Sequence, residues 1–293
     1  MKNYDIVILG NYTKDTIVSA AGTRYVDGGG FNYGAHAAKV LGLKVAAVTR
    51  LAKEDFRVVE KLENIGVDVF PFVTPSSTHM KLDYPTDDVD QRILTCTATA
   101  GTYTTDQFDQ LSAKATLINT SIRDETPFEV VKYLSNKKGL LVADAQGFVR
   151  IIDQNNQLIH APWPDKERIL ALLDVLKADA VEAESLTGEK DIKKAAKILT
   201  GWGPTEVVLT HRDGILVYAD GQFHEATFLP ENLIGRSGRG DTCIASYMAK
   251  RLSAQPEEAI IWSAAITSLK MEAEGPIQRS LEDVKALILK KYS

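Results

Sequence analysis

Short apolar runs alternate with segments of helical apolar spacing along most of the chain. Residues 4–9 form a largely apolar run that stops at Gly10, and residues 31–41 carry small and apolar side chains at helical spacing up to Gly42. A short apolar run of this kind is typical of a strand buried on both faces of a sheet. Further strands are predicted at 44–49, 117–119 and 140–143, with helices at 56–62 and 127–134. The alternation predicts the α/β class, with a mainly parallel sheet covered by helices.

One segment breaks this rhythm. Residues 67–73, 78–84 and 92–97 are three strand-like runs without a helix between them, which favours an antiparallel flap. Residues 85–90 between two of these runs are acidic and turn-prone, so they are predicted to form the tip of a hairpin.

The alternation resumes after residue 164. We predict a helix at 166–177, a strand at 178–181, a helix at 192–199 and strands at 206–210 and 215–218. The last third is predicted to be helical at 241–251, 257–272 and 281–291. Because no linker, repeat or low-complexity tract divides the 293 residues, we expect one large domain over 1–293 with a small β lid.

Composition and charge exclude several classes of protein. Lysine and arginine total 34 and aspartate and glutamate total 39, so the net charge of −5 does not favour binding to nucleic acid. The chain has two isolated cysteines and starts without a secretory segment, which indicates the cytoplasm. No apolar stretch approaches the roughly 18 residues that span a bilayer, so no membrane segment is expected.

The loop at residues 235–242, Gly-Arg-Ser-Gly-Arg-Gly-Asp-Thr, carries the most informative chemistry. Glycines before a helix let consecutive amides point inward, where the helix N-terminus favours an anion. Arg236 and Arg239 add guanidinium groups that suit phosphate oxygens. Asp241 fits two roles at this position, either a general base for a hydroxyl nucleophile or an N-cap of the helix.

This loop, together with residues 28–42 (GGGFNYGAHAAKVLG) and 178–188 (ADAVEAESLTG), resembles the ribokinase-like (PfkB) family of carbohydrate kinases. The motifs occur in the family's order and spacing over essentially the whole chain. The resemblance implies transfer of the γ-phosphoryl group of ATP, with Mg²⁺, to a hydroxyl of a sugar, nucleoside or polyol. It also implies a three-layer α/β/α sandwich whose small β-sheet lid would comprise roughly residues 11–27 and 67–100.

The family's last signature usually reads Asp-Thr-x-Gly-Ala-Gly-Asp. Gly238, Gly240 and Asp241 match it, so the resemblance implies an anion hole formed by the amides of residues 238–241, with Asp241 as the catalytic base. The leading Asp, the Thr and the Ala are replaced here by Gly235, Arg236 and Arg239. In many relatives that Asp belongs to a monovalent-cation site. We therefore hypothesise that Arg236 or Arg239 supplies fixed positive charge instead, in which case no monovalent cation is required; alternatively, both arginines face solvent.

The resemblance extends to the ligands. Asp179 and Glu182 match the family's Asn-x-x-Glu motif, with Glu182 near Mg²⁺ through water, although acids at a helix start are also common. Implied substrate contacts are Asp15, Gly28, Gly29, Gly30, Asn32, Gln146 and Asp241. Implied nucleotide contacts are Asp179, Thr210, Arg212, Gly214, Arg236, Gly238 and Gly240, and Arg239 is placed with the catalytic loop.

Residues 144–150, Asp-Ala-Gln-Gly-Phe-Val-Arg, resemble a stretch of the family's inositol-kinase branch, which favours a cyclitol or other polyol as acceptor. Ribokinase-like or nucleoside-kinase-like activity is the alternative within the family. A catalytically silent sensor of sugar or nucleotide is the alternative of another class. An exposed edge of the lid would also allow a homodimer.

Overall fold

A computed structural model describes residues 2–20, 22–86 and 92–292. The strands, in chain order, are Lys2–Leu9 (β1), Thr13–Ser19 (β2), Gly22–Gly28 (β3), Val45–Leu51 (β4), Asp68–Val73 (β5), Thr78–Asp83 (β6), Ile93–Ala98 (β7), Leu111–Ile118 (β8), Leu140–Asp144 (β9), Arg150–Ile152 (β10), Leu158–His160 (β11), Val175–Asp179 (β12), Glu206–Thr210 (β13), Gly214–Ala219 (β14) and Gln222–Thr227 (β15). The helices are Gly30–Val40 (α1), Arg57–Asn64 (α2), Phe128–Ser135 (α3), Gln146–Val149 (α4), Lys166–Leu170 (α5), Ala180–Thr187 (α6), Ile192–Thr200 (α7), Arg239–Arg251 (α8), Pro256–Met271 (α9) and Leu281–Lys291 (α10).

Nine strands form one large sheet in the order β15-β14-β13-β12-β9-β8-β1-β4-β5. Every pairing from β13 to β5 is parallel, and β14 and β15 extend the sheet antiparallel beyond β13. The predicted mainly parallel sheet is therefore confirmed.

Successive side chains of a strand point to opposite faces of the sheet and enter two separate apolar cores. In β1, Ile6 and Ile8 pack in the core beneath α1, α8 and α9, whereas Val7 and Leu9 pack in the core beneath α3 and α7. Each fully buried side chain of this kind contributes about 1.5–3 kcal/mol. Helices cover both faces, so the predicted three-layer α/β/α sandwich is confirmed.

A separate small sheet has the order β3-β2-β6-β7. The prediction that residues 67–73 belong to this sheet is wrong, because β5 pairs in parallel with β4, from Ala46 beside Asp68 to Leu51 beside Val73. The helix α2 connects β4 to β5 as a crossover, and the chain returns to the small sheet, which it has already visited with β2 and β3, only after β5. Residues 67–73 were grouped with the flap because no helix separates β5 from β6, the next strand along the chain. Most of the predicted hairpin tip at 85–90 lies outside the described residues.

The predicted helix at 166–177 and strand at 178–181 are also wrong. The helix α5 ends at Leu170, and residues 175–179 form β12 in the centre of the large sheet, paired with both β9 and β13. A lysine at position 177 interrupts the apolar run and conceals the strand. Within the described parts of the chain, no helix is long and apolar enough to cross a membrane.

Candidate active site

The carboxyl ends of β8, β9, β12 and β13 face the small sheet across a cavity of about 490 Å³. This end of an open α/β sheet is where ligands usually bind. The lining combines residues after these strands, residues of the small sheet and the loop before α8. It includes Thr13, Asp15, Gly29, Gly30, Tyr33, Met80, Leu82, Arg92, Leu94, Ser121, Gln146, Arg150, Lys177, Asp179, Thr210, Arg212, Arg236, Gly238, Arg239, Gly240 and Asp241.

The N-terminus of α8 opens onto the cavity. Gly238 precedes the helix with φ +76° and has no side chain to cap it, and the first helical bond runs from the amide of Thr242 to the carbonyl of Gly238. The amide of Arg239 is used within the loop by the carbonyl of Arg236, at 3.2 Å. The amides of Gly240 and Asp241 have no acceptor within the helix, as expected of a first turn. These two amides suit an anion in the cavity.

A lysine that no motif predicted lies against Gly240. A Cβ at residue 240 would stand 2.7 Å from Nζ of Lys177, so only glycine allows this close approach without displacing the ammonium. Lys177 Nζ donates to Asp144 Oδ2 at 2.9 Å, and this carboxylate together with Glu182 raises the pKa of Lys177 against the opposing effect of burial. Lys177 therefore holds a permanent positive charge beside the anion-binding amides.

Lys177 belongs to a buried cluster of two cations and two carboxylates. Glu182 Oε1 accepts from Arg150 Nη2 at 3.1 Å, and Glu182 Oε2 lies 3.9 Å from Lys177 Nζ. Buried charges persist when they are paired and hydrogen-bonded in this way. Sequence reasoning could not find the pairing of Asp144 with Lys177, because the two residues come from different strands.

Asp241 lies in the first turn of α8 and faces the cavity. Its Oδ1 accepts from Nε2 of Gln146 at 3.1 Å. Burial raises the pKa of Asp241, while the charges of Lys177 and Arg150 act in the opposite direction. Because Gly238 precedes the helix at the N-cap position, the capping role considered for Asp241 does not apply.

Asp15 lies on the small-sheet side of the same cavity. The carboxyl is buried, and Oδ1 has no hydrogen-bond partner within the described residues. Burial raises the pKa of Asp15 to about 7, and the charge of Asp241 adds to the shift, while a hydrogen bond from Thr13 opposes it. A substrate hydroxyl would satisfy this oxygen.

The other predicted substrate residues divide into two groups. Gly29, Gly30 and Gln146 line the cavity, whereas Gly28 packs against the side chains of Thr13 and Asp15. Asn32 does not line the cavity; its Nδ2 donates to the carbonyl of Asp27 at 2.9 Å, and the adjacent Tyr33 lines the cavity instead.

Of the predicted nucleotide residues, Gly214 does not line the cavity; those that do are Asp179, Thr210, Arg212, Arg236, Gly238 and Gly240. Arg239 lies with its guanidinium 6.0 Å from the ring centroid of Phe228, and Nη1 donates to the carbonyl of Arg212 at 3.3 Å. Among the described residues, the lining holds six Lys or Arg and three Asp residues, an excess of positive charge in a chain of net charge −5.

Asp179 and Glu182 form a capping box at the start of α6. Asp179 Oδ1 accepts from the amide of Glu182 at 2.7 Å, and Glu182 Oε2 accepts from the amide of Asp179 at 2.8 Å. Both oxygens of Glu182 are therefore engaged by protein donors, whereas Asp179 also lines the cavity. Among the described residues, no group of three His, Cys, Asp or Glu side chains could hold a metal ion. This set of residues fits a Mg²⁺ ion that would be bound mainly by phosphates and water, with the cavity-lining carboxylate of Asp179 available to hold it.

The chain is similar to a curated protein and to two solved structures over nearly its whole length. A cytidine kinase from Thermococcus kodakarensis (strain ATCC BAA-918 / JCM 12380 / KOD1) is 28% identical over 271 residues, which are 88% of this chain and 92% of that protein. A pyrophosphate-dependent kinase in the ribokinase family, solved with a pyrophosphate analog and myo-inositol, is 33% identical with a TM-score of 0.88, covering 96% of this chain and 99% of that one. A pyrophosphate-dependent myo-inositol-1 kinase that two substitutions to leucine convert into a myo-inositol-3 kinase is 33% identical with a TM-score of 0.88, covering 98% of this chain and 100% of that one.

The family comparison agrees with these similarities and with the resemblance seen in the motifs. The model of the pfkB family carbohydrate kinases matches residues 5–283. The sequence-based assignment and the predicted phosphotransferase activity are confirmed, and an ATP donor with Mg²⁺ is the expectation for such a kinase. The chain belongs to the pfkB family of carbohydrate kinases.

Proposed function

We propose that the chain transfers the γ-phosphoryl group of ATP to a hydroxyl of a cyclitol such as myo-inositol, with Asp241 as the general base. The observation that carries this proposal is the position of Asp241. The same carboxylate receives a hydrogen bond from Gln146 on the acceptor side and lies in the helix turn whose amides suit an anion. A sensor without catalysis would gain nothing from a carboxylate beside a phosphate site, because like charges repel.

The part of the cavity lined by Thr13, Asp15 and Gln146, here called the acceptor end, suits a ring with polar groups around its edge and apolar faces. The polar groups of Thr13, Asp15 and Gln146 are available to bind hydroxyls. In the same small sheet as Thr13 and Asp15, Leu82 and Leu94 are cross-strand partners, and both line the cavity. A cyclitol presents hydroxyls around its edge and carbon–hydrogen surface on its faces, so this combination of side chains matches it. The relative solved with myo-inositol supports the same acceptor.

The transfer would proceed in one displacement. The acceptor hydroxyl gives its proton to the carboxylate of Asp241 as its oxygen bonds to the γ-phosphorus, and the bond from that phosphorus to the bridging oxygen breaks to release ADP. Lys177 and the amides of Gly240 and Asp241 stabilise the charge on the transferring group, which is the main task of a protein in phosphoryl transfer. Asp179 would hold a Mg²⁺ ion directly or through water, and the ion would supply neutralising charge to the donor phosphates.

Inorganic pyrophosphate is a second candidate donor. Arg212, Arg236 and Arg239 line the cavity and would supply positive charge to a donor. Pyrophosphate has no base and must be bound through its oxygens, which arginine does well. The two similar structures are both of a pyrophosphate-dependent kinase, which supports this candidate.

The decisive assay measures acceptor-dependent consumption of ATP and of pyrophosphate, each with Mg²⁺, over inositols, pentoses, hexoses and nucleosides. Turnover of an inositol with either donor is expected. Turnover of cytidine or ribose alone would favour the nucleoside-kinase or ribokinase alternative, and nucleotide binding without turnover of any acceptor would favour a sensor.

Arg239→Ala tests the donor, because the family usually has alanine there. If pyrophosphate is the donor, the variant should lose pyrophosphate-dependent kcat/KM by about tenfold to a hundredfold, as expected for loss of a charged contact of about 1.5–3 kcal/mol. The matched control is Arg168→Ala, at an exposed arginine paired with Asp165 outside the cavity. Equal losses in both variants would argue against a donor role for Arg239.

Two further features bear on where and how the chain works. Both cysteines are unpaired and buried, which supports a cytoplasmic location.

A homodimer through the small sheet stays a prediction. The outer strand β3 has one free edge, and Tyr25 on it is 77% exposed.

A further inference from the structure

A lysine ammonium is buried directly behind the anion-binding loop. Lys270 lies next to the C-terminal residue of α9 and is 1% exposed. Its Nζ donates to the carbonyl of Gly235 at 2.9 Å. Burial of an ammonium is costly unless it is well bound, so this contact needs an explanation in the chemistry of the site.

Lys270 contacts the start of the loop directly and is linked to its end through Tyr33. Besides the carbonyl of Gly235, its Nζ lies 5.3 Å from the centroid of the Tyr33 ring, a distance suited to a cation–π interaction. The Tyr33 ring in turn packs so closely on Gly238 that a Cβ there would overlap it. One side chain on α9 therefore fixes residues 235–238 directly at the start and through Tyr33 at the end.

The contact also orients the first peptide of the loop. In a trans peptide the N–H points opposite to the C=O, and no cis peptide occurs among the described residues. When Lys270 holds the carbonyl of Gly235, the amide of Arg236 points the other way. The carbonyl dipole is kept off the phosphate site, and the ammonium adds positive charge behind it.

We propose that Lys270 is a positioning residue, a built-in cation that holds the loop 235–238 in the conformation that binds the transferring phosphoryl group. This inference rests on the proposed phosphoryl transfer. The fixed positive charge that was hypothesised for Arg236 or Arg239 is instead assigned to Lys270 on α9. Those two arginines line the cavity and are placed to meet the donor itself. The chain should then need no added monovalent cation.

The charge of Lys270 is sensitive to pH. Burial lowers the pKa of Lys270 to about 8; the carboxylates of Glu274 and Asp241 oppose this shift, and the guanidinium of Arg239 adds to it. Tyr33, on α1, has a pKa well above its ordinary value because of burial, so it keeps its proton across this range. Glu274 is paired with Arg24 of β3 at 2.9 Å. Deprotonation of Lys270 should therefore produce a fall in kcat above about pH 8.

The test compares Lys270→Met, Lys270→Ala and the control Lys250→Met. Lys250 also lies over an aromatic ring, 4.5 Å from the centroid of Trp262, but near the opposite end of α8. We expect kcat to fall by roughly 30-fold in both Lys270 variants, the order seen for residues that orient a primary group, with the acceptor KM nearly unchanged. Ethylammonium should restore kcat in Lys270→Ala, and Lys250→Met should behave as wild type.

A wild-type kcat in Lys270→Met, or no rescue of a folded Lys270→Ala by ethylammonium, would overturn the proposal. If the variants do not fold, the wild-type pH profile decides: a flat kcat between pH 7.5 and 9.5, or strong activation by K⁺ over choline, would also overturn it. If wild type phosphorylates no acceptor, the proposed function fails instead. Calorimetric titration with pyrophosphate still tests the loop, since Lys270→Met should weaken binding and an unchanged affinity would refute the role of Lys270.

Discussion

Replacement of Asp241 by asparagine separates its chemistry from its position. The asparagine side chain would keep an oxygen to accept from Gln146 Nε2, now 3.1 Å from Oδ1, so the geometry of the acceptor side should survive. The amide has no capacity to accept the proton of the acceptor hydroxyl. The substitution also removes one negative charge from a site that contains Lys177 and Arg150. Donor phosphates should bind as well as before, or better.

The expected fall in kcat follows from the role of Asp241 as a general base. A general base contributes roughly 10²–10⁴-fold, so we expect kcat to fall by about 10³-fold, or about 4 kcal/mol of transition-state stabilisation, in Asp241→Asn. Because burial raises the pKa of Asp241, wild-type kcat should fall as the pH drops through that raised pKa, and the residual activity of the variant should lack this acidic limb.

Steady-state kinetics with varied acceptor and donor, repeated across pH, provide the assay. Gln146→Leu is the comparison, since loss of its hydrogen bond to Asp241 and of its proposed acceptor contact, each about 0.5–1.5 kcal/mol, should reduce kcat/KM by no more than about a hundredfold. A decrease of less than tenfold in Asp241→Asn would refute the role of a base. Equal losses in the two variants would show that the contact between them, rather than proton transfer, matters.

Three other predictions concern the acceptor and the loop. Asp15 has a pKa of about 7 because of burial, so its ionised fraction rises about tenfold from pH 6 to pH 8 and the acceptor KM should fall accordingly, whereas Asp15→Asn should abolish the trend; a flat wild-type profile would contradict this. Gly238 and Gly188 have φ of +76° and +74°, but only residue 238 lacks room for a Cβ. Denaturant unfolding should show a loss of about 1–2 kcal/mol in Gly188→Ala and a larger one, with loss of activity, in Gly238→Ala, and equal losses would refute the packing argument. Leu82→Asn combined with Leu94→Ser should change which hydroxyl is phosphorylated, as read by NMR of the product, and an unchanged product would show that the small sheet does not orient the ring.

Much of the fold was predictable because local signals and tertiary structure agree. Short apolar runs marked most of the central strands, and the three C-terminal helices begin and end within two residues of their predicted bounds. For the misassigned strands β5 and β12, the local sequence signal and the tertiary structure disagree. The segment of β5 has no following helix, and β12 carries Lys177, whose burial makes sense only beside Asp144, 33 residues earlier in the chain.

The site residues also divide into those that a local sequence pattern predicts and those that it does not. Gly238, Gly240 and Asp241 were predicted because a glycine loop before a helix is a local pattern with a local physical meaning. Lys177 and Lys270 were not, since each acts through a contact with a distant element and belongs to no short motif. Asn32 was predicted as a substrate residue, but the turn of α1 directs its amide to Asp27 and brings its neighbour to the cavity.

The most direct test of the central claim is ³¹P NMR of wild-type protein incubated with myo-inositol, Mg²⁺ and equal concentrations of ATP and pyrophosphate. The account predicts one new phosphomonoester resonance from an inositol monophosphate, together with loss of signal from one donor. No phosphorylated inositol under these conditions, with a phosphate ester formed on ribose or cytidine in parallel samples, would contradict the assignment of a cyclitol acceptor.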